Sequence, residues 1–149
     1  MPNIEVSVWI DASLDKVYAM CKDAPSFPDY MKDLKSVTRI EEEGNRVVSD
    51  WVGVIPNFML KVRWRQEDVW DDANHVCHFH QVKGDYDKFE GVWTFTDENG
   101  GCRLSTSLDY EYNVPTLGPL IKNVIHGIVQ RNLDSMNAAF KSKAESSAP

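Results

Sequence analysis

Positive charge is scarce in this sequence: 16 basic residues stand against 23 acidic ones, a net charge of −7. A surface of that sign repels phosphate backbones and anionic lipid headgroups, so neither nucleic acid nor a membrane surface is an expected partner. Long apolar runs are missing too, since none approaches the ~20 residues that a membrane span needs. The start, Met1-Pro2-Asn3-Ile4-Glu5, has neither the basic residues nor the apolar stretch of a signal peptide. Cytoplasmic residence without stable membrane insertion is the expectation. Cysteine is sparse: Cys21, Cys77 and Cys102 lie far apart in no paired metal or redox spacing, which suits a reducing compartment. Absent as well are a Gly-rich phosphate loop, a Gly-x-Ser-x-Gly elbow and a His-Glu-x-x-His pair. Nucleotide hydrolysis, α/β-hydrolase and zinc-protease chemistry therefore find no support. No motif asks for a cofactor, and none identifies a protein partner.

What the chain does have is apolar material, 42% of its 149 residues, undivided by any linker, repeat or low-complexity stretch. That is enough for one core, and residues 1–149 read as a single domain. Ile4, Val6, Val8 and Ile10 alternate with Glu5, Ser7 and Trp9, the period of a strand with one face on a core. Ser13 can cap a short helix through Leu14, Val17, Tyr18 and Cys21, which Asp23-Ala24-Pro25 interrupts. Phe27-Pro28-Asp29-Tyr30-Met31 predicts a second short helix with Pro28 in its first turn.

Beyond Leu34 the helical period disappears. Alternating runs cover residues 34–42, 46–55, 58–70, 75–83, 86–96 and 102–114, separated by turn signals such as Glu43-Gly44-Asn45 and Asn99-Gly100-Gly101. Such short connections predict consecutive antiparallel hairpins. Leu117, Leu120, Ile121, Val124, Ile125, Ile128, Val129, Leu133, Met136 and Phe140 then follow an i, i+3, i+4 course, a long amphipathic helix ahead of a small polar tail from Ser142 to Pro149. The fold class is α+β: a curved antiparallel sheet of about seven strands around a long C-terminal helix, with two short helices after strand one.

A curled sheet with one helix laid on its concave face leaves unfilled volume toward its wide end. Strand parity puts bulky residues on that face: Phe58, Leu60, Val62 and Trp64; Phe89, Trp93 and Phe95; Leu104, Leu108, Tyr110 and Tyr112. Lys61, Arg63, Arg65, Arg103, Asp109 and Glu111 take the opposite face, where cross-strand ion pairing is the expectation. The same parity carries polar groups inward, namely Gln66, Asp68, Gln81, Thr106 and the hydroxyls of Tyr110 and Tyr112. An apolar cavity with a few polar groups suits an apolar small-molecule ligand. The candidate ligand-binding set is Trp64, Gln66, Gln81, Trp93, Phe95, Thr106, Tyr110, Tyr112, Ile125 and Val129, with Asp68 as the candidate general base should burial raise its pKa. Each of these aromatics taken singly could equally pack a dry core, and Asp68 could be a solvated or paired strand-end residue. His78 and His80 share one strand face, a spacing zinc sites use, but parity turns them to solvent and no metal site is assigned. His126 could reach a pocket rim from the last helix, and the facing of Trp9 and Trp51 is open.

Several stretches, in their order, resemble the START-like (SRPBCC, helix-grip) superfamily, and in particular its polyketide cyclase/dehydrase and coenzyme Q-binding START branch. They are Ile10-Asp11-Ala12-Ser13-Leu14-Asp15-Lys16-Val17-Tyr18, the Phe27–Met31 segment, the Gly84-Asp85-Tyr86 turn with Gly91-Val92-Trp93-Thr94-Phe95, and the terminal helix. The resemblance implies a strand, two short helices, six strands and a long helix enclosing a pocket for lipids, quinones, polyketides or similar molecules, and it implies no single activity. Aromatase/cyclases of this family carry Trp-x-Ser-x-Arg on the fourth strand. Here the stretch reads Trp64-Arg65-Gln66-Glu67-Asp68, an anion where the family has a cation. An anion cannot stabilise a developing enolate, so ring closure would need another donor such as Tyr110, Tyr112 or Arg131. A binding protein is the first expectation and a cyclase/dehydrase the alternative.

Overall fold

A computed structural model describes residues 3–55, 60–112 and 121–146. Expectations for Phe58, for the turn at Pro56, for Val114-Pro115 and for Leu117 and Leu120 lie outside the described residues. Strand β1 (Asn3–Ile10) leads into helix α1 (Leu14–Lys22), whose first turn is closed by the Ser13 side chain accepting from the Lys16 amide at 3.2 Å. A 3-10 helix (Ala24–Asp29) follows. It begins earlier than the predicted Phe27 because Pro25 opens it instead of holding it off, and Pro28 falls inside. A 3-10 segment this short has few internal amide bonds for a proline to break.

Six strands then run as a meander: β2 (Leu34–Glu43), β3 (Arg46–Ile55), β4 (Leu60–Asp71), β5 (Val76–Gly84), β6 (Lys88–Glu98) and β7 (Gly101–Glu111). With β1 they form one antiparallel sheet in the order β1-β7-β6-β5-β4-β3-β2. The two short helices thus carry the chain from one margin of the sheet to the other. Helix α2 (Ile121–Ser146) buries Ile125, Ile128, Val129, Phe140 and Ala144. Its end is tied to β1 through Lys141 Nζ on the Trp9 carbonyl at 3.0 Å and the Asp11 amide on Glu145 at 2.8 Å.

The ladders are not regular. Registers pass over Lys35 and Ile40 on β2 and over Val82 on β5, each a bulge that adds curvature. Bulging also explains two exposed apolar side chains, Ile40 at 44% and Val82 at 52%, which the pairing leaves out. Strand parity otherwise holds: Val62, Trp64, Gln66, Asp68 and Trp70 are buried along β4, while Lys61 and Arg63 are exposed. On the outer face Arg65 meets Asp50 at 2.8 Å and Arg46 meets Glu67 at 2.5 Å, the cross-strand pairing expected there. Beneath the helices Phe27, fully buried, stands against Tyr30, Trp51, Trp93 and Phe140, with centroids 5.1–6.4 Å away.

Candidate functional site

Between α2 and the β3–β4 end of the sheet lies a cavity of about 380 Å³. Its floor is Gly53 and Val54 on β3 with Val62 and Trp64 on β4, and its far side is Phe89 on β6 and Leu108 on β7. Helix α2 roofs it at Val129, Leu133, Met136 and Ala139, positions one helical face presents together. The segment after the 3-10 helix supplies Tyr30, Met31 and Leu34. Polar side chains in the lining are Lys32 and Asp33 on that segment and Asn132 and Ser135 on α2, beside the phenols Tyr30 and Tyr86.

Trp64 is the residue on which the wall turns. Its indole stacks on Trp51 at 5.7 Å and 15° and takes the rings of Tyr86 and Phe89 at 5.4 and 5.5 Å. A side chain at Gly84, its cross-strand partner, would put a Cβ 2.5 Å from the Trp64 backbone, at a φ of 152° that favours glycine. Gln81 holds the following turn: its amide donates to the Tyr86 carbonyl at 2.9 Å and its oxygen accepts from the Tyr86 amide at 3.2 Å. Gln81 thereby fixes a wall residue that parity alone did not reveal.

Behind Trp64 runs a buried polar row on the same strand. Trp64 Nε1 donates to Gln66 Oε1 at 2.9 Å, and Gln66 Nε2 donates to Asp68 Oδ1 at 2.7 Å. Burial pushes the Asp68 carboxyl up to about 6, against the opposing pull of the Gln66 hydrogen bond. Asp68 is only 4% exposed, and neither it nor Gln66 lines the cavity.

The other candidates fall in several places. Of the ligand-binding set, Trp64 and Val129 line the cavity. Trp93 and Phe95 are buried among rings, Trp93 against Phe27, Phe79, Trp70 and Phe140, Phe95 against Tyr18 and Trp70. Thr106 is buried opposite Trp93, and Ile125 is buried on α2 away from the cavity lining. The Tyr110 hydroxyl lies 3.0 Å from His126 Nδ1, pinning β7 to α2, and burial raises this phenol to about 12. Tyr112, half-buried, packs on Tyr86 at 5.4 Å, and Arg131 is exposed. His78 and His80 face solvent, with His80 3.9 Å from Glu67. Trp51 is buried, and Trp9 is half-buried, donating to the Glu98 carbonyl at 2.7 Å. Tyr30, Met31, Gly53, Met136 and Ala139 also line the cavity without being in the candidate set; of these, only Met136 and Ala139 carry a signal in sequence, their helical spacing with Val129 and Leu133.

A family model described as polyketide cyclase/dehydrase and lipid transport matches residues 10–137. The chain belongs to that family. Among solved structures, TTHA0849 from Thermus thermophilus is 33% identical, covers 98% of this chain and all (100%) of its own, and superposes with a TM-score of 0.91. The Zhui aromatase/cyclase from a Streptomyces species is 17% identical over 97% of this chain and 93% of its own, TM-score 0.83. A START superfamily protein from Mycobacterium smegmatis is 15% identical over 96% of this chain and 97% of its own, TM-score 0.78. At those identities the last two share the fold, a helix-grip arrangement, and nothing finer is drawn from them. Among curated proteins none matches the chain by sequence. No helix among the described residues is long and apolar enough to cross a membrane.

Proposed function

We propose that the protein binds a hydrophobic small molecule, a lipid, quinone or polyketide-like compound, in the cavity between sheet and α2. The observation that carries this reading is a cavity of about 380 Å³ walled by Trp64, Phe89, Leu133 and Met136, with apolar and aromatic residues making up most of its lining. Volume and lining of that kind suit a ligand buried by its apolar body with its polar end at the opening. Native mass spectrometry and thermal shift across lipids, quinones and polyaromatics test it. A ligand present at about a hundred times its Kd adds roughly 2.7 kcal/mol to stability, a rise of several degrees in Tm. A panel without any stabilising member overturns the reading.

A second reading, a cyclase/dehydrase with Asp68 as base and Tyr110 or Tyr112 as donor, draws on the raised Asp68 carboxyl, which burial brings toward the working range of a general base. It requires Asp68 to meet substrate, whereas Asp68 stands behind Trp64 and Gln66 and Tyr110 is engaged with His126. Binding is therefore preferred. Cyclisation of a polyketide-like substrate by the wild type, abolished in Asp68→Asn, would reverse that preference.

A further inference from the structure

We propose that Asp68 is a positioning residue of the ligand site, whose charge, passed through Gln66, orients Trp64 on the cavity wall and makes occupancy of the cavity depend on pH. The inference rests on the reading of the cavity as a ligand site. Its basis is the direction of the two hydrogen bonds. An indole N–H can only donate, so Trp64 requires the oxygen of Gln66 to face it; the Gln66 amide nitrogen is then turned to Asp68, which must accept. An ionised carboxylate can only accept, and it enforces this one arrangement. A protonated carboxyl still offers its carbonyl oxygen, but the charge-assisted bond to Gln66 becomes a weaker neutral one, and its new O–H can compete for the Gln66 oxygen. The hold on the Gln66 amide, and through it on the angle of the Trp64 ring, is then loosened.

Trp64 cannot shift alone, because Trp51 stacks on one side and Tyr86 and Phe89 lie on others, and Tyr86 and Phe89 are themselves cavity wall. A change at Asp68 therefore reaches the shape of the cavity without Asp68 touching the ligand. The charges that act on Asp68 are Arg39 on β2, which favours its ionised form, and Glu67 on its own strand, which opposes it. Its register neighbours Val47 on β3 and Phe79 on β5 bring none, and burial keeps the Cys77 thiol on β5 protonated. Among the described residues no cation is paired with the buried carboxylate, so its environment favours neutralisation under mildly acidic conditions.

Two measurements test this. The first is the affinity for Nile red, a neutral apolar probe, at about pH 5 and about pH 8, in wild type and in Asp68→Asn, whose amide is donor and acceptor at every pH. Wild type should bind roughly fivefold or more tightly at the higher pH. Asp68→Asn should bind at the weaker level throughout, which separates this step from histidine titration elsewhere in the chain. The second measurement needs no ligand and no Asp68 variant: the Trp64 indole N–H resonance of the free wild type, assigned with Trp64→Phe, should titrate with a midpoint near 6, where burial places Asp68. Binding that is flat with pH, a pH step that persists in Asp68→Asn, or an indole resonance that does not titrate overturns the inference and leaves the ligand site standing. Failure of Nile red to bind at either pH overturns the two together.

Discussion

Asp68 illustrates what a single residue reveals and conceals. Parity placed it and Gln66 on the concave face, and both are buried there. Its chemistry is less legible, because side chains two apart on a strand can point in parallel or lean together, and no periodicity encodes the bonds that join Trp64, Gln66 and Asp68 in one row. Burial raises the folded pKa from 3.8 to about 6, so its stabilising contribution is complete below the lower value and lost as pH climbs through the higher. Asp68→Asn is accordingly expected to be more stable than wild type at pH above about 7, by on the order of 2–3 kcal/mol, and to show little advantage near pH 4. Urea unfolding at the two pH values measures the difference; a gap that does not widen with pH would count against the assignment. Gln81 teaches the same lesson, since its inward parity is legible while its partner, the backbone of Tyr86, is not. Side-chain-to-backbone bonds across a turn leave no periodic trace in sequence.

Among the elements, the strands and long helix were legible because alternation and the i, i+3, i+4 period repeat over many residues. The segment from Ala24 to Asp29 repeats nothing and has two prolines in six residues, so its sequence points to a start at Phe27 and the observed helix begins at Ala24. Yet it matters to the core through Phe27, whose ring meets four others. Phe27→Ala should destabilise the fold by about 3–5 kcal/mol, because a buried aromatic is removed where surrounding rings cannot collapse to fill the space. Denaturant titration reads this directly, and a loss under about 1 kcal/mol would mean that the helix is not pinned by that ring. The segment leading on from it, Tyr30 to Leu34, forms one cavity wall and was likewise hidden, since loop residues carry no periodicity to orient them.

For the whole molecule, the order of elements was enough to infer a helix over a curved sheet and a space between them. The size of that space was not, because it depends on how far α2 stands from β3 and β4, which no local pattern encodes. Ala139 is a small residue in the roof, so Ala139→Phe should fill part of the cavity and lower affinity for whichever ligand stabilises the wild type, with Tm in the absence of ligand changed little or raised. Loss of folding would instead mean that α2 cannot move off the sheet, and unaltered affinity would place the ligand elsewhere. The sheet that makes this cavity is open rather than closed into a barrel, and its two margins differ. β1 lies under the end of α2, tied by Lys141 and Glu145. β2 is interrupted by two bulges and ends in exposed Glu41, Glu42 and Glu43. A strand so bent and so acidic is a poor template for a second copy, which lets a wide, grasping sheet remain monomer-compatible at high concentration instead of extending edge to edge into aggregates.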